Sequence, residues 1–74
     1  MAKRKVVVTD EGIGALIREK RKAAGMSQPE LGEVLNISEQ MIQKYERGAS
    51  SLTVLKLVAI AEALKCKTLE LIPS

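Results

Sequence analysis

The strongest constraint on this chain is a pair of short helical segments joined by almost no linker, in the stretch SQPELGEVLNISEQMIQKYERG. The first segment, 27–35, begins at Ser27, and Glu30 can complete a capping box with it. Pro29 falls in the first turn, where its missing N–H costs no hydrogen bond. Asn36 then occupies the turn, and asparagine tolerates a left-handed backbone better than most residues do. The pattern therefore predicts a short helix that stops abruptly.

The second segment, 38–47, is capped by Ser38 and stopped by Gly48, a residue suited to the left-handed end of a helix. A turn as short as Asn36–Ile37 forces the second helix to cross the first steeply, which is the geometry of a helix-turn-helix. The residues expected to pack the two helices together are Leu31, Val34, Ile37, Ile42 and Tyr45. Outside this narrow apolar face the second helix is almost entirely polar, so its wide outward face needs an explanation.

Helices are also predicted on either side of this pair. The first begins after Thr9 or Asp10 and closes at Gly25. Its inward-facing residues would be Ile13, Leu16, Ile17 and Ala24. The fourth runs over residues 54–64, and Thr68 would cap a short last helix. The fold class is therefore all-α, a compact bundle of about four or five short helices.

The sequence divides into a basic arm, residues 1–9, and a helical domain, residues 10–74. Lys3, Arg4 and Lys5 form a positive cluster in the arm. The three valines at 6–8 favour a short strand or a contact with the domain. A frayed terminus is the alternative interpretation.

The composition excludes several functional classes. A chain of 74 residues holds one compact core and leaves little room for an enzyme cleft. Histidine is absent and Cys66 is the single cysteine, so an internal disulfide and a Cys/His zinc site are both excluded. Tyr45 is the one aromatic residue, which is a poor basis for stacking the bases of single-stranded nucleic acid. No cofactor or metal is implied.

The charge and hydropathy pattern adds little more. The formal net charge of +3 is mildly basic and does not by itself indicate nucleic acid. No run of about twenty apolar residues could span a membrane. The valines at 6–8 are too short a stretch for the core of a signal peptide. A cytoplasmic protein is expected.

The order and spacing of these features resemble the Cro and phage-repressor type of helix-turn-helix protein, also called the XRE type. The stretch IREKRKAAGMSQPELGEVLNISEQMIQKYERG follows the family pattern almost position by position, and LKLVAIAEAL matches its fourth helix. The resemblance covers residues 12–72, nearly the whole domain. It implies a lambda-repressor-like DNA-binding domain whose helix 38–47 enters the major groove of double-stranded DNA.

The resemblance also implies roles for individual residues. The residues that match base-reading positions are Glu39, Gln40 and Lys44. The residues expected to contact DNA phosphates are Gln28, Gln43, Arg47 and Lys22. Two further residues, Arg21 and Glu46, match a pair that often forms a structural ion pair in this family.

Less specific interpretations stand beside these roles. The outward face of helix 38–47 could be an ordinary solvated surface. Glu39 in particular would be repelled by phosphates and could serve mainly to exclude wrong sequences. The basic run at 18–22 favours a solvated face over a DNA contact. Gly32, in mid-helix, is expected to cost about 0.5–1 kcal/mol relative to alanine, and Lys65 replaces a glycine that is common in the family.

The fourth helix carries more apolar surface than one core requires. Its inward stripe would be Val54, Leu57, Ala61 and Leu64. The apolar residues left over on this helix and in the last segment would be Leu55, Val58, Ala59, Leu69, Leu71 and Ile72. We expect a homodimer whose two-fold interface includes Leu55, Val58, Leu69 and Ile72. The alternative is that the amino-terminal valines complete the core.

The predicted function is a sequence-specific, double-stranded DNA-binding transcriptional regulator, a repressor that binds a near-palindromic operator as a homodimer. Two alternatives remain. One is the antitoxin of a toxin–antitoxin pair, which would bind both DNA and a toxin. The other is a protein-interaction module that uses the same fold as a scaffold. No enzyme activity is expected, because nothing in the sequence resembles a nucleophile with its base.

Overall fold

The computed structural model describes residues 7–73. Within them the order is α1 (Asp10–Ala23), α2 (Gln28–Leu35), α3 (Glu39–Arg47), α4 (Val54–Ala63) and a short 3₁₀ helix (Thr68–Leu71). The predicted all-α fold is confirmed. The predicted cluster Lys3–Lys5 lies outside the described residues. Residues 7–9 do not form a strand. Val7 and Val8 are 71% and 47% exposed, so the alternative in which the amino-terminal valines complete the core does not hold for these two.

Each α-helix begins at a side-chain hydroxyl. The Thr9, Ser38 and Thr53 hydroxyl oxygens accept hydrogen bonds from the backbone N–H of the third residue that follows, at 3.0–3.1 Å. At Ser27 the predicted capping box is complete: Ser27 accepts from the Glu30 N–H at 3.2 Å, and the Glu30 carboxylate accepts from the Ser27 N–H at 2.9 Å. The second bond favours the ionised carboxylate and lowers the pKa of Glu30 below its ordinary value.

The last helix starts differently from the prediction. Thr68 is its first residue rather than its cap, and Lys67 occupies the capping position. The Glu70 carboxylate accepts one hydrogen bond from the Lys67 N–H at 2.7 Å and another from Lys20 Nζ at 3.1 Å. Both bonds favour the ionised carboxylate and so lower the pKa of Glu70. A carboxylate one turn into the helix therefore takes the place of the expected hydroxyl cap.

The turn between α2 and α3 depends on two residues. Asn36 takes the predicted left-handed conformation, with φ 56° and ψ 44°. The Ile37 N–H donates to the carbonyl of Gly32 at 2.9 Å, which folds the chain back over α2. A Cβ at position 32 would lie 2.7 Å from the carbonyl oxygen of Ile37. The interpretation of Gly32 as a simple cost relative to alanine is therefore wrong, because the close approach of the turn requires glycine here.

Helices α1 and α3 pack side by side at another close approach. A Cβ at Gly14 would overlap the carbonyl oxygens of Tyr45 and Glu46, so the absence of a side chain lets α1 lie directly on the α3 backbone. The core beneath this contact consists of Ile17, Leu31, Ile42, Tyr45, Leu57, Ile60, Ala61, Leu64 and Leu71. It draws on all four helices and the 3₁₀ helix.

Two apolar residues predicted to face inward from the first half of the domain are exposed instead. Ala24 lies after the last residue of α1, where the chain leaves the side that packs on α3. Val34 is 61% exposed because α2 turns Leu31, Gly32 and Leu35 inward. At about 100° per residue, the centre of that inward face lies roughly 100° away from Val34.

Two predictions about the carboxy-terminal half are also wrong. Val54 was assigned to the inward stripe of α4 but is 75% exposed, because it is the first residue of the helix and burial begins one turn later at Leu57. Leu71 was assigned to the outer apolar surface but is 0% exposed. With about three residues per turn, a 3₁₀ helix directs Leu69 and Leu71 to different sides, and Leu71 closes the core. None of the helices within residues 7–73 combines the length and the apolar character needed to cross a membrane.

Candidate nucleic-acid interface

The outward face of α3 is a continuous polar surface. Its exposed residues are Glu39, Gln40, Lys44 and Arg47, and Gln43 between them is half-buried. Gln40, Gln43, Lys44 and Arg47 follow i, i+3, i+4, i+7 spacing and so share one side of the helix. The bond from the Gln43 amide to Glu39 is 3.5 Å long and therefore weak. The structure thus places two of the predicted base readers, Gln40 and Lys44, on one exposed side of the helix, while the third, Glu39, is exposed at the edge of this side in the first turn.

The flank of α3 next to this polar face is fixed by a buried ion pair. Arg21 Nε donates to Glu46 Oε2 at 2.6 Å and its Nη2 donates to Glu46 Oε1 at 3.0 Å, with side chains only 9% and 3% exposed. The remaining guanidinium nitrogen, Nη1, donates to the carbonyl oxygen of Met26 at 2.8 Å. These bonds raise the pKa of Arg21, since the hydrogen bond to Glu46 favours the charged guanidinium. The structure therefore pairs the two residues that the resemblance placed together.

Gln28 joins this network from α2. Its Nε2 donates to Glu46 Oε1 at 3.1 Å, so the Glu46 carboxylate receives three N–H donors. The side chain predicted to hold a phosphate thus has a structural partner as well. The first turn of α2 also offers a backbone donor: Pro29 has no N–H, the Glu30 N–H is capped, and within residues 7–73 the N–H of Gln28 has no acceptor. That N–H is suited to an anion at the helix N-terminus.

Three helices meet in a polar depression beside this network. Its lining residues are Arg18, Arg21, Gln28, Gln43, Glu46 and Arg47. Lys22, exposed on α1, lies in a neighbouring depression that Arg18 also lines. Arg18 belongs to the basic run at 18–22, for which the sequence favoured a solvated face over a DNA contact. It precedes Arg21 by one helical turn, so the predicted contact between Arg21 and α3 was a signal that could have placed Arg18 beside α3.

The residues predicted for a dimer interface lie elsewhere, on α4 and the 3₁₀ helix. Leu55 is 84% exposed and Leu69 is 75% exposed, while Val58 and Ile72 are 36% and 37% exposed. Leu69 and Ile72 border a shallow apolar groove against Leu16 of α1. Among residues 7–73, no group of three or more His, Cys, Asp or Glu side chains comes together that could hold a metal ion.

The profile of the helix-turn-helix family HTH_3 matches residues 17–71. The chain belongs to this family. It is the Cro and phage-repressor type that the sequence resembles, so that prediction is confirmed. The match covers α2, α3 and α4 entirely and begins in the middle of α1.

Relatives of this helix-turn-helix chain carry regulator names. It is 44% identical over 55 residues to an uncharacterized HTH-type transcriptional regulator of Rickettsia conorii, covering 74% of this chain and 44% of that protein. A similarly named regulator of Sinorhizobium fredii is 38% identical over 63 residues, with 85% of this chain and 44% of the relative covered. The chain thus spans less than half the length of these relatives.

Solved structures share the fold. The clp gene regulator ClgR from C. glutamicum superposes with a TM-score of 0.81 at 26% identity, covering 84% of this chain and 80% of that one. The restriction-modification controller protein C.AhdI from Aeromonas hydrophila superposes with a TM-score of 0.79 at 27% identity, covering 84% of this chain and 94% of that one. The arrangement of α1 to α4 is therefore the arrangement of helix-turn-helix regulators.

Proposed function

We propose that this chain is a sequence-specific DNA-binding unit of a transcription regulator. The observation that carries the proposal is the exposed polar face of α3, held outward by the buried contact of Arg21 with Glu46 in a helix-turn-helix chain. A helix of this diameter fits the major groove of duplex DNA, where base edges present distinct donors and acceptors. The polar side chains of α3 would then form hydrogen bonds with base edges and not only with water.

The base-reading residues are Gln40, Lys44 and Glu39. A glutamine amide can pair with adenine through one donor and one acceptor, and a lysine ammonium can donate to guanine O6 and N7. The Glu39 carboxylate can accept from cytosine N4, but it is repelled by phosphates and so contributes most by disfavouring wrong sequences. The first turn of α3, where Glu39 and Gln40 lie, is the part that reaches deepest into the groove.

Other residues hold the DNA backbone without reading sequence. The backbone N–H and the second amide hydrogen of Gln28 face a phosphate at the start of α2, while Glu46 fixes the orientation of that amide. The remaining backbone contacts are Gln43, Arg47 and Lys22. These contacts set the register in which α3 enters the groove.

The working form is a homodimer that acts as a repressor in the cytoplasm. An exposed apolar surface such as that of Leu55 and Leu69 is a common mark of association. Two-fold pairing through Leu55, Val58, Leu69 and Ile72 would place the two copies of α3 about 34 Å apart on one side of the DNA. The operator is then a near-palindrome.

Selection of bound duplexes from a random pool tests this proposal. The expected product is one enriched motif with two inverted half-sites whose centres lie about one helical turn apart. A single unrepeated half-site would retain the DNA-binding unit but reject the dimer. No enrichment at low salt would reject DNA recognition and favour a protein-interaction module on the same fold.

A further inference from the structure

The polar depression where α1, α2 and α3 meet carries more positive charge than its network uses. Within residues 7–73 the ion pairs are Arg21 with Glu46 and Lys20 with Glu70. Neither Arg18 nor Arg47 therefore has a carboxylate partner, although both line the depression. Both side chains are exposed to solvent, and Glu19 lines the neighbouring depression with Arg18 without forming an ion pair with it.

The one carboxylate in the depression does not cancel this charge. Glu46 accepts N–H donors from Arg21 Nε, Arg21 Nη2 and Gln28 Nε2, at 2.6, 3.0 and 3.1 Å. Its negative charge is thus fully engaged by the Arg21 guanidinium and the amide, and its side chain is 3% exposed. An anion that entered the depression would meet Arg18 and Arg47 without strong repulsion from Glu46.

The depression also continues the face that the proposed function assigns to DNA. Arg47 follows Gln40 and Lys44 at i+7 and i+3 on the outward side of α3. Packing of α1 on α3 then brings Arg18 to the same depression from the opposite side. A helix lying in the major groove is flanked by the phosphates of the groove walls, so a cationic depression at its edge faces the DNA backbone.

We infer that this depression seats one DNA phosphate between Arg18 and Arg47, and that Arg18 is a backbone-holding residue contributed by α1. The inference rests on the proposed function and extends the DNA-binding surface beyond the helix-turn-helix pair. Guanidinium groups suit this role because their planar donors can bind phosphate oxygens in pairs. Arg18 supplies affinity and register, not sequence discrimination.

The salt dependence of duplex binding tests the inference. Affinity falls as salt rises, and each lost phosphate contact makes the slope of log affinity against log salt less steep by about 0.9. For Arg18→Gln, the ratio of the affinity at 50 mM to that at 200 mM salt should therefore be about 3.5-fold smaller than for wild type. The same change is expected on the selected and on a random duplex. Arg18→Lys keeps the charge and should keep the slope. Lys67→Gln, which removes an exposed cation outside the depression, should also leave the slope unchanged.

A second comparison tests whether one phosphate is shared. The slope change of the double variant Arg18→Gln/Arg47→Gln should be smaller than the sum of the two single changes, because both residues hold one group. A double-variant change equal to the full sum of the two single changes would contradict the binding of one phosphate by both residues. Thermal melts like those of wild type are expected for both single variants, since these side chains are exposed.

The inference and the proposed function fail in different ways. A wild type that binds its selected duplex while Arg18→Gln has an unchanged slope overturns the inference alone. The same conclusion follows if Lys67→Gln lowers the slope as much as Arg18→Gln does. A wild type that binds no duplex at low salt overturns the proposed function, and the inference with it.

Discussion

Helices α3 and α4 each dock one side on the same core but present opposite chemistry to solvent. α3 buries Ile42 and Tyr45 and turns charged and amide side chains outward. α4 buries Leu57 and Ile60, yet its exposed side includes Leu55 at 84%. The two helices are of similar length, 9 and 10 residues, so the contrast lies in side chains and not in architecture.

The contrast shows that the two surfaces differ in how strongly each indicates a binding partner. A polar helix face is stable in water and needs no partner, so it indicates DNA only through the helix-turn-helix frame that presents it. An exposed leucine is different, because burying it gains about 1.5–3 kcal/mol. The exposed apolar residues of α4 are therefore the basis of the proposed association, while the polar face of α3 indicates DNA only together with the helix-turn-helix frame.

The largest expected effect comes from placing a charge on the apolar side. Leu69→Glu sets an unpaired carboxylate in the proposed two-fold interface and should drive the protein to monomers. Operator affinity should fall by roughly 100- to 10,000-fold, since one half-site at a time is engaged. The fold should survive, because Leu71 and the rest of the core are untouched. Sedimentation at tens of micromolar and a duplex titration measure the two effects.

Val34→Glu is the matched control for this change. Val34 is also exposed, at 61%, but lies on α2 outside the proposed interface, so its charge should not alter self-association. A wild type that sediments as a monomer and still binds one operator tightly would contradict the dimer. Attention would then turn to Lys3, Arg4 and Lys5 as the extra source of affinity.

A smaller effect, on stability, is expected from loss of the buried ion pair between Arg21 and Glu46. Arg21→Ala leaves the Glu46 carboxylate buried without its charge partner, at a cost of roughly 3–5 kcal/mol in the free energy of unfolding. Thermal and denaturant melts of Arg21→Ala, Glu46→Ala and the double variant measure it. The double variant should lose much less than the sum of the singles, because it removes both charges together.

The pair Lys20–Glu70 provides the control for this experiment. It joins α1 to the 3₁₀ helix at 3.1 Å, but its side chains are 32% and 44% exposed, so solvent screens it. Lys20→Ala should leave the melting curve almost unchanged. Additive, small losses for Arg21→Ala and Glu46→Ala would mean that the buried pair contributes no more than this exposed one.

The sequence predicted the elements well where the signal was local. The cap at Ser27 with Glu30, the left-handed turn at Asn36 and the stop at Gly48 each depend on one or two residues within a helical turn, and each is present. The positive φ of 55° at Lys65 likewise falls where the family pattern has a glycine. Local backbone chemistry is readable because it does not depend on the rest of the fold.

The predictions failed where side-chain direction depended on distant packing. Val34 was expected inside and Leu71 outside, and the structure reverses both. The close approach of Ile37 to Gly32 could not be read from α2 alone, since it depends on how α3 folds back. Arg18 lies between the two cases: helical periodicity places it on the same side of α1 as Arg21, but the depression that it lines with Arg47 depends on the packing of α1 on α3.

Specific binding by α3 is the central claim, and paired affinities test it most directly. Gln40→Ala and Lys44→Ala are measured on the selected duplex and on a scrambled duplex of equal length and at the same salt. Each should lose about 1–3 kcal/mol of binding free energy on the selected duplex and much less on the scrambled one. Equal losses on both duplexes, or no loss on either, would contradict the assignment of this face to base reading.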